Sequence, residues 1–228
     1  LVAQAALANA DHADKRLRQR AARLAQFLPL ENWQAYYLSL MRSNPQARLG
    51  AALAVSWRFA TNTFNTPLFT ATQNALKGVR AVPDQIQGLA LLVTAMGDWR
   101  IFSPTLELYS AYELNHPPLP NSPPERQILE LIRPMLKSPD RLLSSEAARV
   151  LGMLRDPDPA LPSQLLDVIK PDSDPARDMH HLIILSRLPA RAFTNASLRT
   201  AAAVVGLTRK LQGLDQRPKQ TWTDRFKE

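Results

Sequence analysis

One stretch of the chain decides the fold: Ser144-Ser145-Glu146-Ala147-Ala148-Arg149-Val150-Leu151-Gly152-Met153-Leu154, followed by the turn Asp156-Pro157-Asp158-Pro159. Its apolar residues recur every three or four positions, which is the spacing of one face of an α-helix. The prolines that follow end the helix, because proline cannot continue the backbone hydrogen-bond pattern. The stretch therefore predicts an amphipathic helix that buries its apolar face against a neighbour.

The same pattern of helix and turn occurs twice in the second half of the chain. Leu136 corresponds to Ile169, an offset of 33 residues, and Leu151 corresponds to Leu185, an offset of 34. Offsets of this length are typical of solenoids, in which stacked helix pairs bury one another's apolar faces. The predicted fold class is all-α, with stacked antiparallel helix pairs at least in the second half of the chain.

The run from Ser145 to Pro157 resembles the second helix of a HEAT repeat in its Ala-Ala-Arg, its Leu-Gly and its trailing Asp-Pro. The stretch 178–189, with 205–211 after it, is similar to HEAT regions of large bacterial exported proteins that join sugar-dehydrogenase-like propellers or c-type cytochrome modules. The resemblance covers residues 126–211 and implies a HEAT-like α-solenoid, a curved helical scaffold that binds other macromolecules or other modules of its own chain.

The second unit departs from the HEAT pattern in two places. His180-His181 replaces the alanine pair, and Ser186 stands where Gly152 stands in the first unit. The resemblance implies no haem, because the cysteine pair that attaches haem in the cytochrome modules is absent.

The first half of the chain also has a helical pattern, because glycine is scarce and alternating β-branched runs are nearly absent. Helices are predicted over Asp14–Phe27, Pro29–Met41, Pro45–Trp57, Ala71–Val79, Pro83–Met96 and Pro104–Leu114. Polar residues and Pro67 predict a loop over 61–70. The predicted organisation is a helical region with an aromatic-rich core over 1–114, a proline-rich connector over 115–124 and HEAT-like repeats over 125–228.

Composition excludes several classes of function. The chain has 228 residues, no cysteine, and 28 basic against 20 acidic side chains, a formal net charge of +8. The lack of cysteine excludes disulfides, thiolate metal sites and cysteine nucleophiles. No apolar run reaches the ~18 residues that a membrane-spanning helix needs. The positive excess is even, with 11 basic and 7 acidic residues over 1–114 and 17 and 13 over 115–228, which is more typical of a solvated surface than of a nucleic-acid groove.

The strongest local charge feature is a basic run near the N-terminal end of the sequence. Such a run is usually the solvated face of an amphipathic helix, and its functional interpretation is contact with phosphates or with an acidic partner. The candidate contact residues are Lys15, Arg16, Arg18, Arg20 and Arg23.

Catalytic and cofactor motifs are missing. The sequence has no glycine-rich phosphate loop, no dinucleotide-binding glycine pattern and no Gly-x-Ser-x-Gly elbow. The adjacent His180 and His181 are expected to point about 100° apart on a helix, so that one packs inside and the other faces solvent. His12 is expected at a helix entry capped by Asp11 or Asp14, and a helix-end position is expected for the histidine at 116.

Acidic and aromatic residues have mainly structural interpretations. Aspartates beside prolines in turns usually bond to local backbone or cap the next helix, and the two such pairs are Asp156/Asp158 and Asp172/Asp174. Aromatic side chains at helical spacing are expected to pack in the core or between helices. They form two groups, Trp33, Tyr36, Tyr37, Trp57, Phe59 and Phe64, and then Trp99, Phe102, Tyr109 and Tyr112.

These features favour a non-enzymatic scaffold or protein-interaction subunit whose partner is another protein or another module of its own chain. No catalytic, cofactor-binding or metal-binding residue is predicted, and an enzyme pocket in the aromatic-rich first half is the less favoured alternative. Two further alternatives are a basic helical-repeat protein that binds nucleic acid, like a DNA glycosylase, and a helical module of a larger exported oxidoreductase.

The compartment stays open, although the resemblance points to an extracytoplasmic, periplasmic one. Since the sequence begins at Leu1, we expect a processed protein or part of a longer one.

Overall fold

A computed structural model describes residues 4–5, 8–12, 14–59, 64–97, 112, 123–193 and 196–213. These residues form ten α-helices and two short 3₁₀ helices, and no strand occurs among them, which confirms the all-α prediction. The helices are α1 (Lys15–Ala25), α2 (Leu30–Met41), α3 (Pro45–Arg58), α4 (Thr66–Leu76), α5 (Val82–Ala95), α6 (Pro123–Ile132), α7 (Arg141–Met153), α8 (Leu161–Asp167), α9 (Pro175–Arg187) and α10 (Ser197–Gly213). The chain divides into two compact units, residues 1–100 with 114–150 and residues 101–113 with 151–228.

Several helices begin where a polar side chain caps the N–H groups of the first turn. Asp14 accepts a hydrogen bond from the Arg16 N–H at 2.7 Å. Asn44 accepts one from the Ala47 N–H at 2.8 Å, and Pro45 follows at the first helical position, where a missing N–H leaves no hydrogen bond unmade. The predicted starts of α1 and α3 are confirmed.

The predicted loop over 61–70 is wrong in its second half, because α4 begins at residue 66. The Asn65 side chain accepts a hydrogen bond from the Leu68 N–H at 3.0 Å and so caps the helix. Pro67 lies in the first turn, where proline is tolerated. The helix predicted over 71–79 is correspondingly displaced toward the N-terminus of the sequence.

Helix α3 is the centre of the first unit and packs against α1, α2, α4 and α5. Most of its buried residues are small, which lets four neighbouring helices approach one axis. They are Ala47, Leu49, Gly50, Ala51, Ala52, Ala54 and Val55.

The proline-rich segment contributes the start of a helix. Residues Pro123 and Pro124, placed in the predicted connector, belong to α6, while residues 115–122 lie outside the described part of the chain. Apart from position 112, the helix predicted over 104–114 lies outside it as well. After Ile132 the chain continues as a 3₁₀ helix over Arg133–Lys137, because Pro134 has no N–H for an α-helical hydrogen bond.

In the second unit α8, α9 and α10 pack against one another. Helices α7 and α9 begin at Arg141 and Pro175, a spacing of about 34 residues that equals the period expected from the sequence. A Cβ added to Gly152 would lie 2.8 Å from Ile184 Cγ2, so the lack of a side chain permits a close contact here.

Helix α10 is unusually exposed. Leu207 is the one buried residue among its 17, whereas Leu198 is 88% exposed and Val205 is 50% exposed. Its polar contacts are described with the functional candidates below.

Candidate functional site on helix α1

Helix α1 carries a row of arginines on its exposed face. Arg16, Arg20 and Arg23 occupy positions i, i+4 and i+7, so their side chains share one side of the helix, and all three are exposed, as is the neighbouring Lys15. Phe27 continues the row in the turn after α1 and is 75% exposed. Within the described residues, no carboxylate forms an ion pair with these basic side chains. Their positive charge is therefore available to a partner.

Arg18, the remaining member of the predicted contact set, lies on the inner side of α1 and is 4% exposed. Its guanidinium donates to Asp84 Oδ1 at 2.6 Å and to the His12 carbonyl oxygen at 2.8 Å. Asp84 is also buried and lies in the first turn of α5. Arg18 therefore joins α1 to α5 and does not belong to the exposed row, which corrects its place among the predicted contacts.

Trp57 lies beside the arginine row at the end of α3. The Arg23 guanidinium carbon is 5.5 Å from the centre of the Trp57 ring, a cation–π distance. The tryptophan is nevertheless 46% exposed, so part of its surface stays accessible. Together Arg16, Arg20, Arg23, Phe27 and Trp57 are called the arginine–aromatic face.

Arg58 fixes the turn that carries Phe27. Its guanidinium donates to the carbonyl oxygens of Gln26 at 3.1 Å and of Leu28 at 2.7 Å. It also lies 5.4 Å from the ring centre of the buried Trp33. These contacts hold the turn between α1 and α2 against the end of α3, so the aromatic part of the face has a defined position.

The structure divides the first aromatic group, which was predicted to pack inside. Trp33 and Tyr36 are buried; Trp33 stacks on Tyr37 with ring centres 5.3 Å apart and meets Phe59 edge-on at 5.0 Å. Burial raises the pKa of the Tyr36 phenol. The prediction is confirmed for the buried pair, whereas Trp57 and Phe59 are exposed.

An ion pair between α9 and α10 has no signal in the sequence, because its members are 32 residues apart. The Lys210 ammonium donates to Asp178 Oδ2 at 2.5 Å and to Ser173 Oγ at 2.8 Å. It also donates to the carbonyl oxygens of Ser173 and Lys170. A serine–lysine catalytic pair needs an amine that can accept a proton, but this ammonium pairs with a buried carboxylate. The cluster is an inter-helix clamp.

The histidine pair on α9 has the predicted inside member, His181, whereas His180 does not face solvent as predicted but is half-buried. His181 is 4% exposed, and burial, followed by the charges of His180 and Arg177, lowers its pKa to about 4. His180 is half-buried, and its Nδ1 lies 2.6 Å from the Tyr112 hydroxyl oxygen. Neither ring approaches a set of carboxylates that would suit a metal, and no group of three or more such ligands occurs among the described residues.

The remaining polar candidates have local structural roles. His12 Nδ1 accepts a hydrogen bond from the N–H of Asp14, the capping residue of α1, at 3.0 Å. The residues at 99, 102, 109 and 116 lie outside the described part of the chain.

Asp156, Asp158 and Asp174 bond to local backbone, as predicted. Asp156 and Asp158 each accept a hydrogen bond from the backbone N–H two residues further on, at 3.1 and 2.9 Å. Asp174 caps α9 by accepting the Ala176 N–H at 3.0 Å, and Asp172 is exposed. Neither pair forms a buried acid–base dyad.

Two further findings bear on the function. Of the helices that the structure describes, none is long and apolar enough to cross a membrane. Comparison with known protein families, with curated proteins and with solved structures finds no match to this chain. The function is therefore argued from the geometry of the described residues.

Proposed function

We propose that this chain is a non-enzymatic helical scaffold that binds an acidic protein partner through the arginine–aromatic face. The partner is a separate protein or another module of a longer chain. One observation carries the proposal: three arginines at i, i+4 and i+7 face solvent without a carboxylate partner among the described residues, next to exposed Phe27 and Trp57.

The charges favour a partner with regularly spaced carboxylates. A helix that carries glutamates at i, i+4 and i+7 presents them on one side, at the same intervals as Arg16, Arg20 and Arg23. Each guanidinium can hold a carboxylate with two parallel hydrogen bonds. Exposed charge pairs of this kind accelerate association and fix the orientation of the partner more than they raise its affinity.

The aromatic side chains supply the apolar part of the contact. Arginine and tryptophan are enriched among residues that dominate binding energy in protein interfaces. Trp57 is held in place by Arg23 and is still 46% exposed. A partner can therefore bury this side chain without having to restrict its motion first.

Exposed aliphatic residues favour a protein over a nucleic acid as the partner. Leu24 on α1 and Leu30 at the start of α2 are 41% and 55% exposed. Contacts to phosphates use basic and polar side chains and backbone N–H groups, and large aliphatic side chains do not contribute to them. The even distribution of charge along the sequence agrees with this choice.

The scaffold part of the proposal rests on repetition. Helices α7 and α9 begin at Arg141 and Pro175, at a period typical of helix-pair repeats, and Gly152 allows close packing against Ile184. Both features are expected of a HEAT-like stack, in which neighbouring helix pairs provide the rigid support for a docking face.

A synthetic helical peptide with glutamates at i, i+4 and i+7 and a leucine beside them tests the proposal. We expect calorimetric binding to the full chain, and about tenfold weaker binding, or about 1.4 kcal/mol, when Arg16, Arg20 and Arg23 are all changed to glutamine. The matched control changes three exposed basic residues of the same unit to glutamine, namely Arg42, Lys77 and Arg80, and retains the affinity.

A Trp57→Ala variant separates the two parts of the face, and we expect it to weaken the peptide about tenfold while leaving the salt dependence of binding unchanged. The proposal is overturned if the glutamine triple variant binds the peptide as well as the control variant does. It is replaced by nucleic-acid binding if a DNA duplex binds, the peptide does not, and the triple variant loses the duplex.

A further inference from the structure

We propose that a groove between α8 and α10 of the second unit binds an amphipathic carboxylate, a molecule with an acyl tail and an anionic head. The site is independent of the arginine–aromatic face, since all of its residues belong to the second unit.

The groove has the size and lining of a ligand site. Its volume is about 480 Å³, within the range of about 300–1,000 Å³ that is usual for small-molecule pockets. The apolar lining residues are Leu166, Ile169, Pro171, Ala202, Ala203 and Leu207. An apolar lining of this kind suits a hydrocarbon tail.

Four basic residues also line the groove, and two of them are already neutralised. Lys210 pairs with Asp178 at 2.5 Å, and the exposed Arg199 pairs with Asp167 at 2.6 Å. Lys170 and Arg209 form no ion pair with any described residue. These two charges make the groove attractive to an anion.

The two unpaired charges define where the head of the ligand lies. Arg199 and Arg209 are ten residues apart on α10, so about 15 Å of helix separates them. Arg199 is neutralised at one end, whereas Arg209 and Lys170 are unpaired with any described carboxylate at the other. The carboxylate head therefore lies at Arg209 and Lys170, and the tail runs along Ala202 toward Arg199.

Gly206 keeps the middle of the groove open. Glycine in the interior of a helix is less stable than alanine by about 1 kcal/mol. No packing contact requires it here, because a Cβ added to Gly206 would meet no atom within 4 Å. The residue leaves room for a ligand, which gives a reason for its position in α10.

The direct test titrates the full chain with dodecanoate below its micelle concentration. Binding is followed by calorimetry and by the backbone amide NMR signals of residues 202–206. Acetate, which has the charge without the tail, and dodecyl maltoside, which has the tail without the charge, are the comparison probes. We expect dodecanoate to bind at least tenfold more tightly than either, with its largest shifts at Ala203 and Gly206.

Two variants locate the site. The Cβ of Gly206→Leu lies in open space and the rest of the leucine side chain occupies room in the groove, so we expect this variant to abolish dodecanoate binding while thermal stability is kept. Lys170→Gln combined with Arg209→Gln weakens dodecanoate at least tenfold and leaves dodecyl maltoside unchanged. The controls are Gly206→Ala, and Arg141→Gln at an exposed position of the first unit; both retain the dodecanoate affinity.

The proposal is overturned if dodecyl maltoside binds as tightly as dodecanoate, or if the folded Gly206→Leu variant still binds dodecanoate. It is also overturned if the largest shifts fall outside the residues that line the groove, or if the glutamate peptide and not dodecanoate shifts these signals, because the groove then docks protein. If dodecanoate still binds when Arg16, Arg20 and Arg23 are all changed to glutamine, the two proposed sites are independent of each other.

Discussion

Helices α1 and α10 are both rich in basic residues, but they are held to their units in different ways. Helix α1 buries one whole side, formed by Arg18, Ala21, Ala22 and Ala25, and packs on the central helix α3. Helix α10 fully buries only Leu207, and its ion pairs through Lys210 and Arg199 join it to neighbouring helices. A helix that packs through apolar side chains can present its outer side as a rigid docking face. Helix α10, which is joined to its neighbours by ion pairs, leaves a groove between itself and α8.

The largest effect is expected from Asp84→Ala. This change leaves the Arg18 guanidinium buried without its carboxylate, and loss of one member of a buried ion pair costs about 3–5 kcal/mol. We expect urea unfolding, followed by circular dichroism, to show that loss in the free energy of unfolding. The double variant Arg18→Met with Asp84→Leu, which replaces both charges by apolar side chains, recovers more than half of it. A loss below about 1 kcal/mol would show that α1 is held by apolar packing alone.

Lys210→Met breaks the corresponding pair of α10, and we expect a loss of about 1.5–3 kcal/mol, the range for a hydrogen bond to a charged group. The effect is local: hydrogen exchange accelerates along α10 while the amides of α3 keep their protection. Arg199→Gln is the control, since its pair with Asp167 is exposed on both sides and contributes below about 1 kcal/mol. Equal acceleration in α3 and α10 contradicts the distinction between the two helices.

We expect a fall in pH to destabilise the second unit, because unfolding allows the buried His181 to bind a proton. Its pKa is lowered to about 4 in the folded chain, against about 6.5 in the unfolded chain, so between these values the unfolded chain binds more protons. Stability is complete above pH 6.5 and falls as the pH drops toward 4, by about 2 kcal/mol at pH 5. The measurement is urea unfolding as a function of pH, with His181→Leu for comparison.

The leucine variant has no proton to bind at this position, and we expect its stability to change less over the same pH window. If the free energy of unfolding of the wild-type chain changes as little as that of the leucine variant between pH 7 and 5, the pKa of His181 is not lowered by folding.

The smallest effect is a gain. Gly206→Ala adds a methyl group in open space and restores helix propensity, so the free energy of unfolding should rise by about 1 kcal/mol. Differential scanning calorimetry measures the change. Gly152→Ala is the opposite control, because its Cβ would lie 2.8 Å from Ile184 and we expect it to destabilise the chain.

Features set by local chemistry were predictable from the sequence. Asp14, Asn44 and Pro45 mark helix starts through caps and backbone geometry that involve near neighbours. Asn65 and Pro67 carry the same signal, yet the polar residues around them favoured a loop, so the start of α4 was missed.

Features that depend on distant residues were not predictable. Arg16 and Arg18 belong to one basic run, and Arg18, on the inner side of α1, pairs with Asp84, which is 66 residues away. The clamp between Lys210 and Asp178 spans 32 residues. A single sequence shows that these residues are charged, but the packing of the helices decides which charges meet.

The arginine that lies over Trp57 has a practical consequence. The Arg23 guanidinium is 5.5 Å from that indole, and Arg58 is 5.4 Å from Trp33. The chain has four tryptophans, and a guest molecule that draws Arg23 away alters the surroundings of one of them, so a change in emission that is lost in Trp57→Phe reports that event. The protein thus contains an optical reporter for occupancy of this surface, and ultraviolet emission can screen for binding molecules without any added dye.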